Sequence, residues 1–401
     1  MDGFSTFAGL ECSRTGERVG GERLVNLSPA GAPLLAVYDV GRAAATMRRD
    51  AMAGRPPTMW RYHEMLPAPA PDRIVSLGEG MTPLLPVPRL GQRLGLTRLA
   101  IKDEGGNPTG SFKARGLSAA VTMARLLGAE SLAMPSAGNA GGALAAYAAR
   151  AGLAAHIFIP ADAPLSNRAE ALLAGAEVTL VRGFLDDCGV VAGQRARQAG
   201  WFDVSTFKEP YRVEGKKTMA YELVEQMGGE VPDVIVYPTG GGTGLVGMWR
   251  AFGEMQALGW NGERRPRLIS VQAEGCAPLV RAFAAGAAES LPWSQPTTRV
   301  GGLRAPRVLA DFLCLQAIRA SGGTAIAVPD EAMFAAQREA GRAEGIGLCP
   351  EGGACVAALR LLVERGEVGR DERIVVFNTA SAAKYVEMLA TEAPVIDPPP
   401  R

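Results

Sequence analysis

From residue 98 onward two hydrophobic rhythms alternate along the chain. Short β-branched or apolar runs occur at RLAIKD (98–103), SLAMPS (131–136), AAHIFIP (154–160), EVTLVRG (177–183), DVIVYPT (233–239), RLISVQAE (267–274), TAIAVPD (324–330) and RIVVFNT (373–379). They have the length and residue types of buried strands. Between them, Ala-, Leu- and Arg-rich segments at 140–151, 164–174, 215–227, 245–257, 330–344 and 353–364 carry apolar residues at helical spacing. This alternation predicts an α/β protein with open, largely parallel sheets. In such sheets ligands bind beyond the carboxyl ends of the strands, and the glycine-rich stretches of this chain fall there.

Residues 1–75 follow neither rhythm. They are rich in Gly, Pro and Arg, contain the apolar piece PLLAVYDV (33–40) and close on the loop-like PAPAPD (67–72), which predicts a small appendage and a connector. A length of 401 residues predicts two domains beside it, at roughly 100–200 residues each. The DPPPR tail (397–401) reads as disordered.

Composition narrows the partners. Hydrophobic residues at 47% and charged residues at 21% exclude a largely disordered chain. Lys and Arg total 42 against 41 Asp and Glu, so neither nucleic acid nor an anionic membrane is an expected partner. MDGFSTFAGLECSRTGER lacks the apolar core of a secretory signal, and the Ala-rich stretch 140–155 is broken by Arg150, short of the ~20 residues that span a bilayer. Six cysteines without a C-x-x-C pair suit reduced thiols in the cytoplasm. With His63 and His156 the only histidines, a serine-protease triad or His-rich metal site has little to draw on, whereas lysine chemistry has six candidates: 102, 113, 208, 216, 217 and 384.

Four motifs sit at predicted strand ends. NPTGSFKARG (107–116) places Lys113 between a Gly-Ser turn and a helical segment, where the helix dipole and partial burial lower an amine's pKa and suit it to Schiff-base chemistry; alternatively, Ser111 simply caps a helix beside an exposed lysine. PSAGNAGGALAAYAARAG (135–152) offers backbone N–H groups to an anion such as a carboxylate, with Asn139 as a polar contact or an ordinary N-cap. PTGGGTGLVG (238–247) is a phosphate nest, and its Gly242, Gly244 and Gly247, with Glu274 ending RLISVQAE, also fit a nicotinamide-dependent oxidoreductase or a tight turn. FNTASAAKY (377–385) ends the last strand with Thr379 and Ser381, which are hydroxyl ligands or helix caps.

Taken in this order, the motifs resemble the pyridoxal-phosphate enzymes of fold type II, the tryptophan synthase β-subunit class, and most closely the threonine synthase family. WRYHEMLP (60–67), LGEGMTPLL (77–85), KDEGGNPTGSFKARG (102–116), the Asn and Gly loops, YRVEGKKTMAYEL (211–223) and NTASAAKY carry the resemblance. It implies two open α/β domains, one formed by 76–115 with 210–401 and a smaller one at 116–209, in a cytoplasmic homodimer. It implies pyridoxal 5'-phosphate as cofactor, with Lys113 as the Schiff-base lysine and Phe112 packed beside the ring. Asn139 falls at the pyridine 3′-oxygen, and Gly240, Gly241, Gly242, Thr243 and Gly244 around the phosphate. Thr379, with Ser381 as the near alternative, falls at the ring nitrogen. A neutral hydroxyl there leaves the nitrogen largely unprotonated, which favours elimination over transamination. The implied substrate is an amino acid, O-phospho-L-homoserine, converted with water to threonine and phosphate. Its carboxylate falls at Ser136, Gly138 and Asn139, and its phosphate at Arg212 with Lys208. The loop 299–306, RVGGLRAP, and Glu351 in CPEGG are expected around the cofactor.

Several positions depart from the family pattern. The N-terminal appendage keeps Cys12 where related chains resemble a four-cysteine zinc ribbon, with Thr15 and LSPAGAPLL (27–35) in place of the others, so no metal is expected. FKARG has Ala114 for an acidic residue, the Asn loop has Ala140 for a threonine, and Ser205 and Thr206 stand for an Asn-Ser pair in a segment one residue longer. These changes leave open a β-eliminating dehydratase or ammonia-lyase, or a β-replacement enzyme, with the same cofactor.

Overall fold

In the computed structural model, which describes residues 3–389 and 393–396, three sheets organise the chain. The first is antiparallel and small: β1 (Phe7–Cys12) pairs with β2 (Arg18–Val19) and β3 (Leu34–Tyr38), so PLLAVYDV supplies its buried strand. The second has six strands. It comprises β4 (Leu84–Pro86), β5 (Leu99–Asp103), β10 (Val234–Pro238), β11 (Arg267–Ala273), β12 (Thr324–Val328) and β13 (Ile374–Asn378), in the order β12-β11-β10-β13-β5-β4. All its pairings are parallel except the β4–β5 edge. The third holds β6 (Ser131–Pro135), β7 (Ala154–Pro160), β8 (Glu177–Val181) and β9 (Phe202–Asp203) in the order β8-β7-β6-β9, all parallel.

The eight apolar runs are the eight longest strands of the two parallel sheets, trimmed by a residue or two where a Pro, Gly or polar residue ends the ladder. VIVYP and IVVFN are buried along their whole length, which is why they read as continuous rather than alternating runs: helices cover both faces. The helices Ala140–Ala151 and Asp330–Glu344 have the bounds their spacing predicts, whereas three others begin earlier. Tyr211–Gln226 starts just after Pro210, and Pro350–Glu364 starts on its own proline, which lacks only an N–H that the first helical turn leaves unpaired anyway. Helices at Pro88–Leu94, Leu185–Ala199, Pro278–Ala284 and Asp311–Ala320 lie outside the segments picked out by spacing, as do β1, β2, β4 and β9. No helix among the described residues is long and apolar enough to cross a membrane. The DPPPR tail lies outside the described residues. Cys12 is buried, its Sγ 3.1 Å from the Ser28 hydroxyl.

The helices Lys113–Leu126, Tyr211–Gln226 and Thr243–Ala257 pack through glycines. A Cβ on Gly116 would lie 2.9 Å from the Arg212 carbonyl oxygen, one on Gly247 2.9 Å from that of Val213, and one on Gly215 would collide with that of Arg115. Backbones this close leave no room for side chains between them, so the three helix starts are fixed relative to one another. A fully buried ion network locks the same joint. Lys102 on β5 donates to Glu222 at 2.9 Å, and Arg115 bonds Glu104 at 2.6 Å, Glu222 at 2.8 Å and the Thr218 hydroxyl at 3.1 Å. Burial would push the Glu222 carboxyl up, but Arg115 and Lys102 overcome it and hold it below the ordinary carboxylate range. Removing one member strands the others as buried charges, a far larger penalty than the net value of the intact set.

Gly215→Ala is expected to overpack this joint and lower stability by about 1–3 kcal/mol, read as a lower denaturant midpoint at unchanged slope. An unchanged midpoint would show that the helices can separate freely.

Candidate active site

A cavity of about 710 Å³ opens between the four- and six-stranded sheets, at the carboxyl ends of β6, β10 and β13. Ser136, Gly138, Asn139 and Ala140 reach it from the end of β6, Gly240 to Gly244 from the end of β10, and Thr379 from the end of β13. Phe112, Lys113, Thr206 and Arg212 complete the inner wall. The loop after Arg299 closes one side: Gly301, Gly302 and Arg304 line the cavity, and Gly302 packs its carbonyl so closely on Gly240 that a Cβ there would collide with it.

Lys113 is the first residue of its helix, with Phe112, not Ser111, in the capping position. Ser111 pairs its backbone with Ala380 and leaves its buried hydroxyl without a partner, so the simple cap is not what this turn builds. The Lys113 amine stands 4.3 Å from the centre of the Phe112 ring and has no carboxylate within ion-pair distance among the described residues. Burial, and then the nearby Arg212 guanidinium, lower its pKa to about 8 against the opposing pull of Glu351 and Cys349.

Asn139 opens the helix Ala140–Ala151, yet its side chain does not cap it. Its amide donates to the Tyr385 hydroxyl at 3.0 Å, which in turn donates to Glu351 at 2.9 Å, while the second Glu351 oxygen is buried without a partner. Tyr385 and Glu351 thus fix the Asn139 side chain at the wall. Ser136 braces the same loop, accepting from the Gly141 N–H at 2.9 Å and donating to the Gly138 carbonyl at 2.8 Å.

The Gly loop turns through Gly242, whose φ of +82° is a left-handed conformation that glycine adopts at no steric cost, and the helix Thr243–Ala257 starts there. Side chains at 241, 242 and 244 would collide with Thr206, Cys314 and Tyr237 respectively, so these glycines leave a concave backbone surface facing the cavity. Gly247, the last position of the G-x-G-x-x-G pattern, serves helix packing instead, and Glu274 is exposed off the wall. The dinucleotide pattern is therefore divided between two structural tasks.

Three expected site residues do not reach the cavity. Ser381 caps its own short helix, accepting from the Ala383 N–H at 3.3 Å, so Thr379 alone of the hydroxyl pair faces the space. Ser205 and Lys208 are both drawn to Asp203 at the end of β9, Lys208 at 2.9 Å, because a nearby carboxylate outcompetes an open pocket for their donors. Arg212 does reach it, almost fully buried, with Nη1 on the Val204 carbonyl at 2.9 Å and Nε without a partner. The expected loop 299–306 brings Arg299 and Arg304 to the cavity, whereas sequence reading missed Arg168 and Arg307. Arg299 is paired with Asp330 and Glu331, and Arg304 lies 3.7 Å from Asp162. Lys113, Arg168, Arg212, Arg304 and Arg307 then face three lining acids, Asp162, Glu351 and Glu387, a modest positive excess that favours an anion. No pattern in SNRAE marks Arg168, because distant segments bring it to the wall.

A family model for "Pyridoxal-phosphate dependent enzyme" matches residues 75–380. The threonine synthase of Methanosarcina acetivorans is 39% identical over 82% of this chain and 80% of its own length. That of Methanocaldococcus jannaschii is 34% identical over 96% of this chain and 95% of its own. Among solved structures, maize serine racemase superposes with a TM-score of 0.65 at 22% identity, covering 77% of this chain and 91% of its own. Escherichia coli diaminopropionate ammonia lyase does so at 0.66 and 20%, covering 79% of this chain and 88% of its own. Both are likenesses of fold.

The Lys113 shift has a direct consequence in the cofactor-free chain. With its pKa near 8, the amine is about one-tenth neutral at pH 7, against about 3 parts in 10,000 for an ordinary lysine. Its labelling by an amine-reactive reagent, followed by peptide mass mapping, is expected to rise with a midpoint near pH 8. A midpoint near that of an unperturbed lysine would refute the desolvated environment.

Proposed function

The chain belongs to the pyridoxal-phosphate dependent enzymes and, within them, to the threonine synthase family; from that premise we propose that it converts O-phospho-L-homoserine and water to L-threonine and phosphate. One observation supports the substrate assignment: a single cavity is lined both by the glycine loop Gly240–Gly244 and by basic side chains, Arg212 among them, so that it could take a second anion beside the cofactor's phosphate.

Pyridoxal 5'-phosphate is the cofactor, and the residues fit it. The side-chain-free cradle suits its phosphate, the Lys113 amine its aldehyde, Thr379 its ring nitrogen and Asn139 its 3′-oxygen, while Phe112 packs beside it. When bound, it supplies the electron sink that stabilises charge developing on the substrate.

The chain's own residues do the rest. Backbone N–H groups of Gly138, Asn139 and Ala140, at the positive end of the helix Ala140–Ala151, receive the substrate carboxylate, with Ser136 bracing the loop. Lys113 Nζ, as a free amine, would take the substrate's Cα proton and return protons later; a pKa near 8 makes both forms accessible near neutrality. Arg212 and Thr206 hold the leaving phosphate, with Arg304 and Arg307 at the outer wall. Lys208 and Ser205, committed to Asp203, take no part in this reading.

The reading includes two α/β domains, 76–115 with 210–401 and 116–209, supported by the six- and four-stranded sheets drawing their strands from those spans. It also includes a cytoplasmic homodimer. The buried, unpaired cysteines among the described residues support a reducing compartment, and light scattering of the pure protein tests the dimer.

Supplying O-phospho-L-homoserine is expected to release phosphate and threonine. Release of 2-oxo acid and ammonia from a hydroxy- or diamino acid instead, with phosphohomoserine inert, would replace this reading with the eliminating one. Lys113→Ala is expected to abolish turnover and the cofactor's bound visible absorbance together. Arg212→Ala is expected to cut kcat/KM about 100-fold, the scale of losing a buried charge-assisted contact. Full activity in either variant would remove its assignment.

A further inference from the structure

Of the six lysines, only Lys113 and Lys216 have no carboxylate within 4 Å among the described residues; Lys102, Lys208, Lys217 and Lys384 are all paired. Both unpaired amines stand over the ring of Phe112, at 4.3 Å and 4.2 Å from its centre. Lys113 has a role at the cavity. Lys216 is 1% exposed and does not line it. It projects from the helix Tyr211–Gln226, its stem pressed toward Gly116, and its Nζ donates a 2.7 Å hydrogen bond to the hydroxyl of Thr243. Thr243 is the first residue of the helix that follows the glycine cradle and forms part of the cavity wall.

This contact has a directional consequence. With its oxygen accepting from Lys216, the Thr243 hydroxyl has its own proton left to donate, and Thr243 itself lines the cavity beside Gly242 and Gly244. The electrostatics run the same way. A buried amine without a counter-ion disfavours its charged form, and Lys113 and Arg212 disfavour it further, against more distant help from Glu209 and Glu104. A phosphate dianion seated in the cradle reverses that balance.

We propose that Lys216 is a positioning residue for the cofactor's phosphate: it aims the Thr243 hydroxyl into the cradle and serves as a buried counter-charge one layer behind it. The proposal rests on the cofactor assignment and is independent of the substrate assignment, because its test uses no amino acid.

The full-length chain, freed of cofactor, is titrated with pyridoxal 5'-phosphate and separately with pyridoxal, which carries the same aldehyde but no phosphate; the visible absorbance of the bound aldehyde is the readout. Lys216→Met is expected to weaken pyridoxal 5'-phosphate at least about tenfold and pyridoxal less than about twofold. In a Thr243→Val background the same change is expected to cost little, because the two residues act in series. Lys216→Gln, which keeps a donor without the charge, is expected to fall between wild type and Met, and it carries the test if the Met variant does not fold. Equal weakening of both aldehydes would assign Lys216 to the Lys113 amine or to packing, and no weakening of either would show the contact to be idle; both results overturn the proposal.

Discussion

The proposed site depends on one half-buried amine held still at a helix start, out of ion-pair range of any acid among the described residues. Lys113 is the first residue of a helix, close to the Arg212 guanidinium, with no carboxylate in ion-pair range among the described residues. Burial and the nearby Arg212 guanidinium make the neutral amine accessible near neutral pH, the form that the proposed attack and proton transfer would use. The same surroundings disfavour the charged form, which Glu351 and Cys349 only partly offset. The scaffold must therefore fix the helix start by contacts made elsewhere.

Those contacts lie on the far side of the helix. Two residues beyond Lys113, Arg115 is sealed among Glu104, Glu222 and Thr218, with Lys102 closing the network from β5. One residue further, Gly116 lets the helix Tyr211–Gln226 approach to backbone contact, and that helix carries Arg212 and Lys216. A single joint thus sets the positions of the Lys113 amine, the Arg212 guanidinium and Lys216. Rigid close packing of this kind transmits position over several residues without a direct contact to ligand.

The cavity also shows how loops divide labour. Glycines at 240 to 244 supply shape and backbone donors, while Asn139, Tyr385 and Glu351 form a hydrogen-bonded chain linking the β6 loop, the C-terminal turn and the helix Pro350–Glu364. Asn139 and Thr379, which could have been helix caps, turn their side chains elsewhere, and Ser381 does the capping instead. The outer wall draws its arginines from unrelated segments, Arg168 from the helix Leu165–Leu173 after β7 and Arg304 and Arg307 from the stretch after Arg299.

The sequence by itself determined the strand–helix alternation and the eight long strands, and it singled out Lys113, Asn139 and Gly240–Gly244, which line one cavity; the cofactor class followed from the resemblance those motifs carry together. These are local facts: hydrophobic period, glycine clusters and a lysine at a strand-to-helix turn are all written within about ten residues. Only the tertiary structure decided which candidates face the cavity. Ser205, Lys208 and Ser381 were diverted by Asp203 and by a backbone N–H at Ala383, partners that no motif announces. It likewise decided that Lys216 lacks an acid while Lys217 beside it lies among Glu214 and Glu254. Pairing and burial depend on side chains brought together from up to hundreds of residues apart, and chain order does not record those distances.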